Sequence, residues 1–176
     1  MTFKKYFIAI VIPEPSFGEI EGMKTDLFKS HGLKGALRSP AHITLHRPFE
    51  WREEKENVLT EKLKQFQYPK DFEINLCNFA FFEPRVIYVD VLQNAQLNNI
   101  HNDLSQFAKR ELKLFNEAED LRGFHPHVTI AFRDLKKQSF YALKEMFAQK
   151  KYSGQFTMPE ISLLKLHKTW EKHFQF

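Results

Sequence analysis

The sequence predicts an α+β fold made of two related lobes. Strand-like and helix-like patterns of apolar residues alternate along the 176 residues, 43% of which are hydrophobic. The pattern His-Xaa-Thr-Xaa occurs twice, at residues 42–45 and 127–130, and the elements around the two copies follow the same order. We therefore infer an internal duplication. Residues 1–176 are expected to form a single bilobal domain in which a pseudo-twofold axis relates the lobes and the two motif strands face each other.

The first half of the chain follows the order strand, helix, motif strand, helix. The apolar run 6–12 predicts a buried opening strand. Apolar residues then recur at helical spacing over 17–28, and Gly32 supplies a stop after this helix. The first motif strand is expected over residues 41–48. A charged segment with an apolar stripe, 53–67, predicts an amphipathic helix.

The second half repeats this order and opens with a hairpin. Strands are predicted over 71–82 and 86–91, with a proline-containing turn between them. A helical face follows over 97–112, and the second motif strand is expected over 125–133. The segment 136–149 predicts the helix that completes this half.

The tail of the chain, residues 156–176, carries two further strand-like segments. They predict two closing strands that flank a turn near residues 170–172. No linker or low-complexity segment separates the tail from the rest, which agrees with a single domain.

Composition narrows the class of protein. The chain has 26 Lys and Arg against 22 Asp and Glu, and the net charge of +4 mildly favours anionic partners, although an ordinary basic surface explains it equally well. Cys77 is the single cysteine, which excludes a disulfide framework. The N-terminal apolar run is too short for a secretion signal, and no run approaches the roughly 20 apolar residues of a membrane span. We expect a cytoplasmic protein without membrane association.

The two tetrapeptides suggest acid/base chemistry on a phosphate ester. Side chains two positions apart on a strand share a face, so His42 lies beside Thr44 and His127 beside Thr129. Histidine, with an ordinary pKa near 6.5, exists in both protonation states near neutral pH. One imidazole can therefore activate a nucleophile while the other protonates the leaving oxygen, and either histidine can take either role. The threonine hydroxyls can donate hydrogen bonds to the non-bridging phosphoryl oxygens.

This spaced pair of motifs resembles those of the two-histidine phosphoesterases, the superfamily of 2′-5′ RNA ligase-like proteins and cyclic nucleotide phosphodiesterases. The resemblance covers essentially the whole chain and implies that each lobe carries an antiparallel sheet flanked by helices, with the active site in the groove between the lobes. It implies that His42, Thr44, His127 and Thr129 are catalytic. The implied protein acts on a 2′,3′-cyclic phosphate or a 2′-5′ linkage of RNA or a nucleotide, with or without RNA-joining activity. We expect it to be a monomer that needs no cofactor, and no metal either, because an imidazolium and nearby arginines can stabilise the anion.

Four further residues are candidates for substrate binding. By strand alternation, His46 lies on the face of the first motif and His125 on the face of the second. Arg47 and Arg133 follow the two motifs. Related proteins often carry an arginine five positions after the second motif histidine, where this chain has Phe132, and alternation favours Arg133 as the groove-facing residue.

Two other functions remain compatible with the sequence. His125 and His127, together with His42 or His46, are candidate zinc ligands, because His-Xaa-His on a strand can chelate a metal ion. The chain would then be a zinc hydrolase, which leaves the paired threonines unexplained. The other alternative is a non-catalytic RNA- or nucleotide-binding protein of the same fold.

Overall fold

The computed structural model describes residues 2–115 and 123–176. This part of the chain forms eight strands and four α-helices, and the predicted α+β class is confirmed. The elements are β1 (Phe3–Val11), α1 (Ser16–His31), β2 (His42–Arg52), α2 (Glu56–Leu63), β3 (Glu73–Phe82), β4 (Val86–Val91), α3 (Ala95–Phe107), β5 (His127–Ala131), α4 (Lys137–Ala148), β6 (Ser153–Thr157), β7 (Ser162–Leu166) and β8 (Trp170–Gln175). No helix in these described ranges is long and apolar enough to cross a membrane.

The tail differs from the prediction in two respects. The turn between β7 and β8 lies at residues 167–169, where His167 N donates to Thr169 O at 2.9 Å. Trp170 is already paired with Leu166 in the β7–β8 ladder, so the turn predicted near residues 170–172 was placed too late. Strand β6 was not predicted because it is an edge strand with one buried residue, Phe156, and so lacks an apolar alternation.

The sheet is symmetric in its strand order. All eight strands are hydrogen-bonded in the order β6-β3-β4-β5-β2-β1-β7-β8, and each of the recorded pairings is antiparallel. The two motif strands, β5 and β2, are the central neighbours, with β6, β3 and β4 beyond β5 in one half of the sheet and β1, β7 and β8 beyond β2 in the other. The halves meet in the sheet where Ile43 pairs with Val128. The two motifs therefore lie side by side at the middle of one continuous sheet.

The two faces of the sheet bury different sets of side chains. Along β1, the residues Tyr6, Ile8 and Ile10 are fully buried in the main core, which also contains apolar residues of all four helices. The alternate residues Phe7 and Ala9 belong to a smaller cluster with Leu164 on the opposite face. Strand β1 is therefore covered on both faces, and the smaller cluster supports the face that carries the motif histidines.

Loops from the two halves also contact each other at the seam. A 3₁₀ turn, Gly35–Arg38, precedes β2, and the Asp134 carboxylate follows β5. Oδ2 of Asp134 accepts hydrogen bonds from Lys34 N at 2.7 Å and from Gly35 N at 3.0 Å. A Cβ atom on Gly35 would lie 2.4 Å from the carbonyl oxygen of Phe132. Glycine is therefore required at this position by the close approach of two backbone segments.

We predict that Gly35→Ala destabilises the protein by about 1–3 kcal/mol, because the backbone of residue 132 must move away from the new methyl group. Gly22→Ala is the matched control, since Gly22 lies in α1 and a Cβ atom added there would meet nothing within 4 Å. It should be neutral or stabilising, by up to about 1 kcal/mol. Urea denaturation measures both changes, and equal stability of the two variants would contradict the close approach.

Candidate active site

The register of the central strands places both motifs on one face. Ile43 and Val128 are each fully buried and point into the main core. Their neighbours along each strand consequently point to the opposite face, which we call the motif face. Extended by one residue in each direction, the antiparallel register sets His42 opposite Thr129 and Thr44 opposite His127. Directly opposite Cβ atoms in such a strand pair lie about 5 Å apart and diagonal neighbours about 7–8 Å, so His42 and His127 are diagonal neighbours on the motif face.

Both motif histidines are oriented by the same backbone contact. Nδ1 of His42 donates to the carbonyl oxygen of Pro40 at 2.6 Å. Nδ1 of His127 donates to the carbonyl oxygen of His125 at 2.7 Å. A carbonyl oxygen only accepts, so each Nδ1 carries a hydrogen and each Nε2 is the ring nitrogen that can accept a proton. The contact thus selects one tautomer at both positions.

Aromatic rings hold each imidazole from the side. The His42 ring lies 4.9 Å from the ring of Phe7, which in turn packs edge-on against Trp170 at 4.7 Å. The His127 ring lies 5.0 Å from Phe82 and 5.1 Å from Tyr88. These packing contacts limit the rotation of both imidazoles and keep the site apolar at its edges.

A buried ion pair anchors the loop that leads into the first motif. Lys24 on α1 is 2% exposed, and its Nζ donates to Glu21 Oε1 at 2.6 Å and to Ser39 O at 2.8 Å. The same Glu21 oxygen accepts from Ala41 N at 2.7 Å. Burial lowers the pKa of Lys24, while Glu21 opposes that shift. Together the pair fixes the backbone on both sides of Pro40, whose carbonyl orients the first motif histidine.

Sequence reasoning missed this anchor, although a signal for it exists. Lys24 lies four residues after Ile20 and three before Leu27, so it interrupts the apolar stripe of α1. A lysine on the buried face of a helix needs a partner within the fold. The pattern therefore indicates a buried ion pair, but it does not identify the loop that the lysine contacts.

The environment of His42 favours its neutral form. Burial of the ring lowers the pKa of His42 to about 4, the positive charges of Lys24 and His127 act in the same direction, and the hydrogen bond to Pro40 opposes them. The residue nevertheless keeps part of its surface open on the motif face. At neutral pH this imidazole is therefore a proton acceptor.

The candidate His125 lies beside the second motif. It is exposed and precedes β5, and its Nε2 lies 3.2 Å from Tyr88 Oη. The same nitrogen is 3.3 Å from Asp90 Oδ1, which is ion-pair distance without hydrogen-bond alignment. Asp90 is the β4 partner of His127 in the ladder. His125 contributes its backbone carbonyl to the site, and its side chain lies at the edge of the site.

The candidate His46 lies on the core face. The β1–β2 ladder pairs Ala9 with Thr44 and Ile8 with His46, so it shifts register between these pairs and gives β2 one extra residue. This bulge turns His46 away from the motif face, and the residue is 1% exposed. Its ring packs edge-on against Phe49 in the core. The alternation from which we placed it on the face of the first motif is broken at the bulge.

The two candidate arginines are exposed. Arg47 lies within β2 just past the bulge. Arg133 lies beyond the end of β5 at Ala131, and its φ of 64° turns the chain out of the strand. Alternation therefore does not determine the direction of Arg133, whose guanidinium lies 5.2 Å from the ring of Phe132.

Among the residues that the structure describes, the zinc alternative has no ligand set. Within residues 2–115 and 123–176, no three His, Cys, Asp or Glu side chains lie close enough together to hold a metal ion. The ring centroids of His125 and His127 are 6.5 Å apart. His46 is on the opposite face of the sheet, as its burial shows.

Comparison with known families agrees with this geometry. The model of the 2′-5′ RNA ligase superfamily matches residues 12–170, which include both motifs. The chain belongs to the 2′-5′ RNA ligase superfamily. The resemblance to two-histidine phosphoesterases found in the sequence is thereby confirmed. No curated protein sequence matches the chain significantly.

Solved structures share the fold of this superfamily member over nearly their whole length. Escherichia coli LigT complexed with 3′-AMP aligns with a TM-score of 0.65 at 19% identity, covering 100% of this chain and 98% of that one. LigT complexed with NADP⁺ gives a TM-score of 0.63 at 20% identity, with the same coverage. TT0787 of Thermus thermophilus gives 0.61 at 18% identity, covering 98% and 96%. At these identities the comparison establishes the fold.

The low pKa of His42 predicts a pH-dependent stability. In the unfolded chain His42 binds a proton near its ordinary pKa of 6.5, whereas in the folded protein it does so only near 4. The free energy of unfolding is therefore highest above pH 6.5, where His42 is neutral in both states. It falls by up to roughly 3 kcal/mol as the pH decreases to about 4, because the unfolded chain binds the proton first.

Chemical denaturation at pH 7 and pH 4 measures this contribution. His42→Asn should reduce the difference in unfolding free energy between the two pH values, while the exposed His31→Asn should leave it unchanged. The same pH dependence in His42→Asn and in the wild type would contradict the shifted pKa.

Proposed function

We propose that this chain is a single bilobal domain that acts as a metal-independent phosphoesterase on 2′,3′-cyclic phosphates or 2′-5′ linkages of nucleotides and RNA. The observation that carries the proposal is the central register, which brings two His-Xaa-Thr motifs together on one face of the sheet. In both motifs Nδ1 of the histidine is held by a backbone carbonyl. Two imidazoles with matched tautomers on either side of one phosphate provide an acid/base pair.

The environments of the two histidines support different roles. His42 acts as the base, because its low pKa keeps it neutral at pH 7. His127, whose partner in the neighbouring strand is Asp90, then takes the role of the acid. The sequence left this assignment open, and the burial of His42 now supports it.

The reaction balances without a metal or cofactor. Nε2 of His42 takes a proton from water, whose oxygen attacks phosphorus and forms a new P–O bond. The bond from phosphorus to one ribose oxygen breaks in line, and that oxygen receives the proton of His127 Nε2. A product monoester remains, and the two histidines exchange protons with solvent to restore the starting state. A 5′-hydroxyl in place of water converts the same steps into RNA joining, which consumes no nucleoside triphosphate.

The threonines are placed to stabilise the charge on phosphorus. Thr129 lies opposite His42 on the adjacent strand, and Thr44 lies opposite His127 in the same way. A phosphate between the imidazoles would therefore have a threonine hydroxyl on each side. Each hydroxyl donates a hydrogen bond to a non-bridging oxygen as negative charge accumulates. The threonine of each motif thereby serves the histidine of the other motif.

A nucleotide is the substrate class that the comparisons favour. LigT, which shares the fold, has been crystallised with 3′-AMP, with ATP and with NADP⁺. Of these, 3′-AMP is a monoester of the kind that opening of a 2′,3′-cyclic phosphate releases. For the present chain this supports nucleotide binding on the motif face, whereas no described feature specifically favours a non-catalytic role.

We predict that His42→Ala and His127→Ala each reduce kcat/KM for 2′,3′-cyclic nucleotides by about 10³-fold or more, because each removes one partner of the acid/base pair. Thr44→Val and Thr129→Val should cost less, about 10²-fold, as expected for one lost donor. His31→Ala is the control, since it removes an exposed histidine of α1. ³¹P NMR follows the conversion of the cyclic ester. Background rates in the wild type and in both alanine variants, with RNA binding retained, would show a non-catalytic protein.

The buried Lys24–Glu21 pair should affect the rate of phosphoester cleavage through the position of His42. Lys24→Met removes the donor that fixes Ser39 O, so the backbone that orients the imidazole is less constrained. We expect kcat to fall by about 10- to 100-fold while KM changes little, because small misplacements of a catalytic group are costly. Lys24→Arg should recover part of this loss. The control Lys29→Met changes an exposed lysine of the same helix and should be neutral. A change confined to KM would argue against a positioning role.

A further inference from the structure

The side chain of His125 lies against the strand next to the second motif. Its Nε2 is 3.2 Å from Tyr88 Oη and 3.3 Å from Asp90 Oδ1. Both of these residues belong to β4, which is the neighbour of β5 in the sheet. The ring of Phe82, at the end of β3, packs edge-on against the His125 ring at 5.5 Å. His125 therefore contacts three side chains of two other strands, although its own side chain is 48% exposed.

These contacts place a hydrogen on Nε2 of His125. A carboxylate oxygen only accepts hydrogen bonds, so a bare nitrogen beside Asp90 Oδ1 would set two lone pairs against each other. With a hydrogen on Nε2, the ring donates to Tyr88 Oη and turns its positive edge toward the carboxylate. Asp90 Oδ1 is buried and has no hydrogen bond of its own among the residues that the structure describes. The attraction from His125 therefore stabilises a buried acceptor.

The backbone of the same residue holds the second motif histidine. Nδ1 of His127 donates to the carbonyl oxygen of His125 at 2.7 Å. Strand β5 begins at His127, so this carbonyl lies before the strand and the β4–β5 ladder does not fix it. Pro126 follows the carbonyl and lacks a backbone N–H with which to add a hydrogen bond. The side-chain contacts of His125 therefore tie this carbonyl to the sheet.

In the first half of the chain, different residues hold the corresponding carbonyl. It belongs to Pro40, and the buried Lys24–Glu21 pair holds Ser39 O and Ala41 N on either side of it. A proline side chain has no polar group, so the support comes from α1. In the second half the carbonyl belongs to a histidine, whose own ring reaches β4.

We propose that the His125 side chain is a positioning residue for the second motif: by docking on Tyr88 and Asp90, it holds its own carbonyl where His127 Nδ1 can donate to it. The inference deepens the proposed function and rests on it for the effect on the rate. Without this support, the carbonyl no longer selects the Nδ1–H tautomer of His127. The reaction then slows, because it needs Nε2 of His127 as the nitrogen that gives and regains the proton.

Long-range ¹H–¹⁵N NMR spectra of the histidine rings test the effect on the tautomer, because a ring nitrogen with a hydrogen and one without have well-separated ¹⁵N shifts. The full-length protein is measured above the ordinary histidine pKa of about 6.5, where neutral rings dominate. Wild-type His127 should show the Nδ1–H tautomer alone, and His125→Ala should give a mixture of both tautomers. The His127→Ala spectrum assigns the signal. The signal of His42, which Pro40 holds, should not change.

Steady-state hydrolysis of a 2′,3′-cyclic nucleotide tests the effect on the rate. His125→Ala should lower kcat about 10- to 100-fold with little change in KM, because a misplaced catalytic group slows the chemical step. His125→Gln should recover part of this loss, since the amide nitrogen of glutamine takes the place of Nε2 and also donates. The control His31→Ala removes an exposed histidine of α1 and should be neutral.

Tyr88→Phe tests the contact from the other side. It removes the hydroxyl that His125 contacts and keeps the ring that packs on His127. Alone it should show part of the loss in kcat, and in the double variant it should add little to His125→Ala, because both changes interrupt one contact. Losses that multiply would overturn the inference. Urea unfolding checks that each variant is folded; if His125→Ala is not, the NMR and kinetic tests are made on Tyr88→Phe and His125→Gln.

The outcomes separate the inference from the proposed function. An unchanged His127 tautomer in His125→Ala overturns the inference, and so does a change of tautomer without a loss of kcat. A rise in KM at constant kcat also overturns it and makes His125 a substrate contact. The expected change of tautomer, in a protein whose wild type hydrolyses no cyclic nucleotide, supports the positioning contact and overturns the proposed function.

Discussion

The hydrogen bond from each motif histidine to the carbonyl two residues before it is the interaction on which the site depends. It is present at His42 and at His127 with nearly equal length, although the residues that provide the carbonyls differ. Because the acceptor belongs to the backbone, the tautomer of each histidine is set by the path of the chain and not by a partner side chain. The loops before the motifs must then be held, which explains the buried Lys24 beneath the first.

The two halves share a topology but provide different environments. The first histidine is enclosed, lies near Lys24 and keeps a low pKa. The second histidine, His127, pairs with Asp90 of the neighbouring strand, and the exposed His125 lies beside Asp90 at the edge of the site. The strand order places the two motif strands side by side at the centre of the sheet, which is the placement that the proposed acid/base pair needs. The different surroundings of the two histidines are what allow the proposed acid and base to differ.

The sequence predicts the site well where the strands are regular and poorly where they are not. Alternation placed the histidine and threonine of each motif on one face because β2 and β5 are undistorted there. It failed at His46, where a bulge adds a residue, and it did not apply to Arg133, which lies past the end of β5. The positions of bulges and strand ends depend on how neighbouring strands pair. The apolar pattern of one strand does not carry that information. The role of Lys24 was missed because its partner loop is distant in sequence.

The two histidines begin the proposed reaction in different protonation states. With a pKa of about 4, only about one His42 in a thousand is protonated at pH 7, so this residue is an effective acceptor and a poor donor. In the proposed mechanism the low pKa therefore decides which imidazole starts as the base. It does not decide the direction of the reaction, because attack on phosphorus and its reverse pass through the same transition state, in which the base of one direction is the acid of the other.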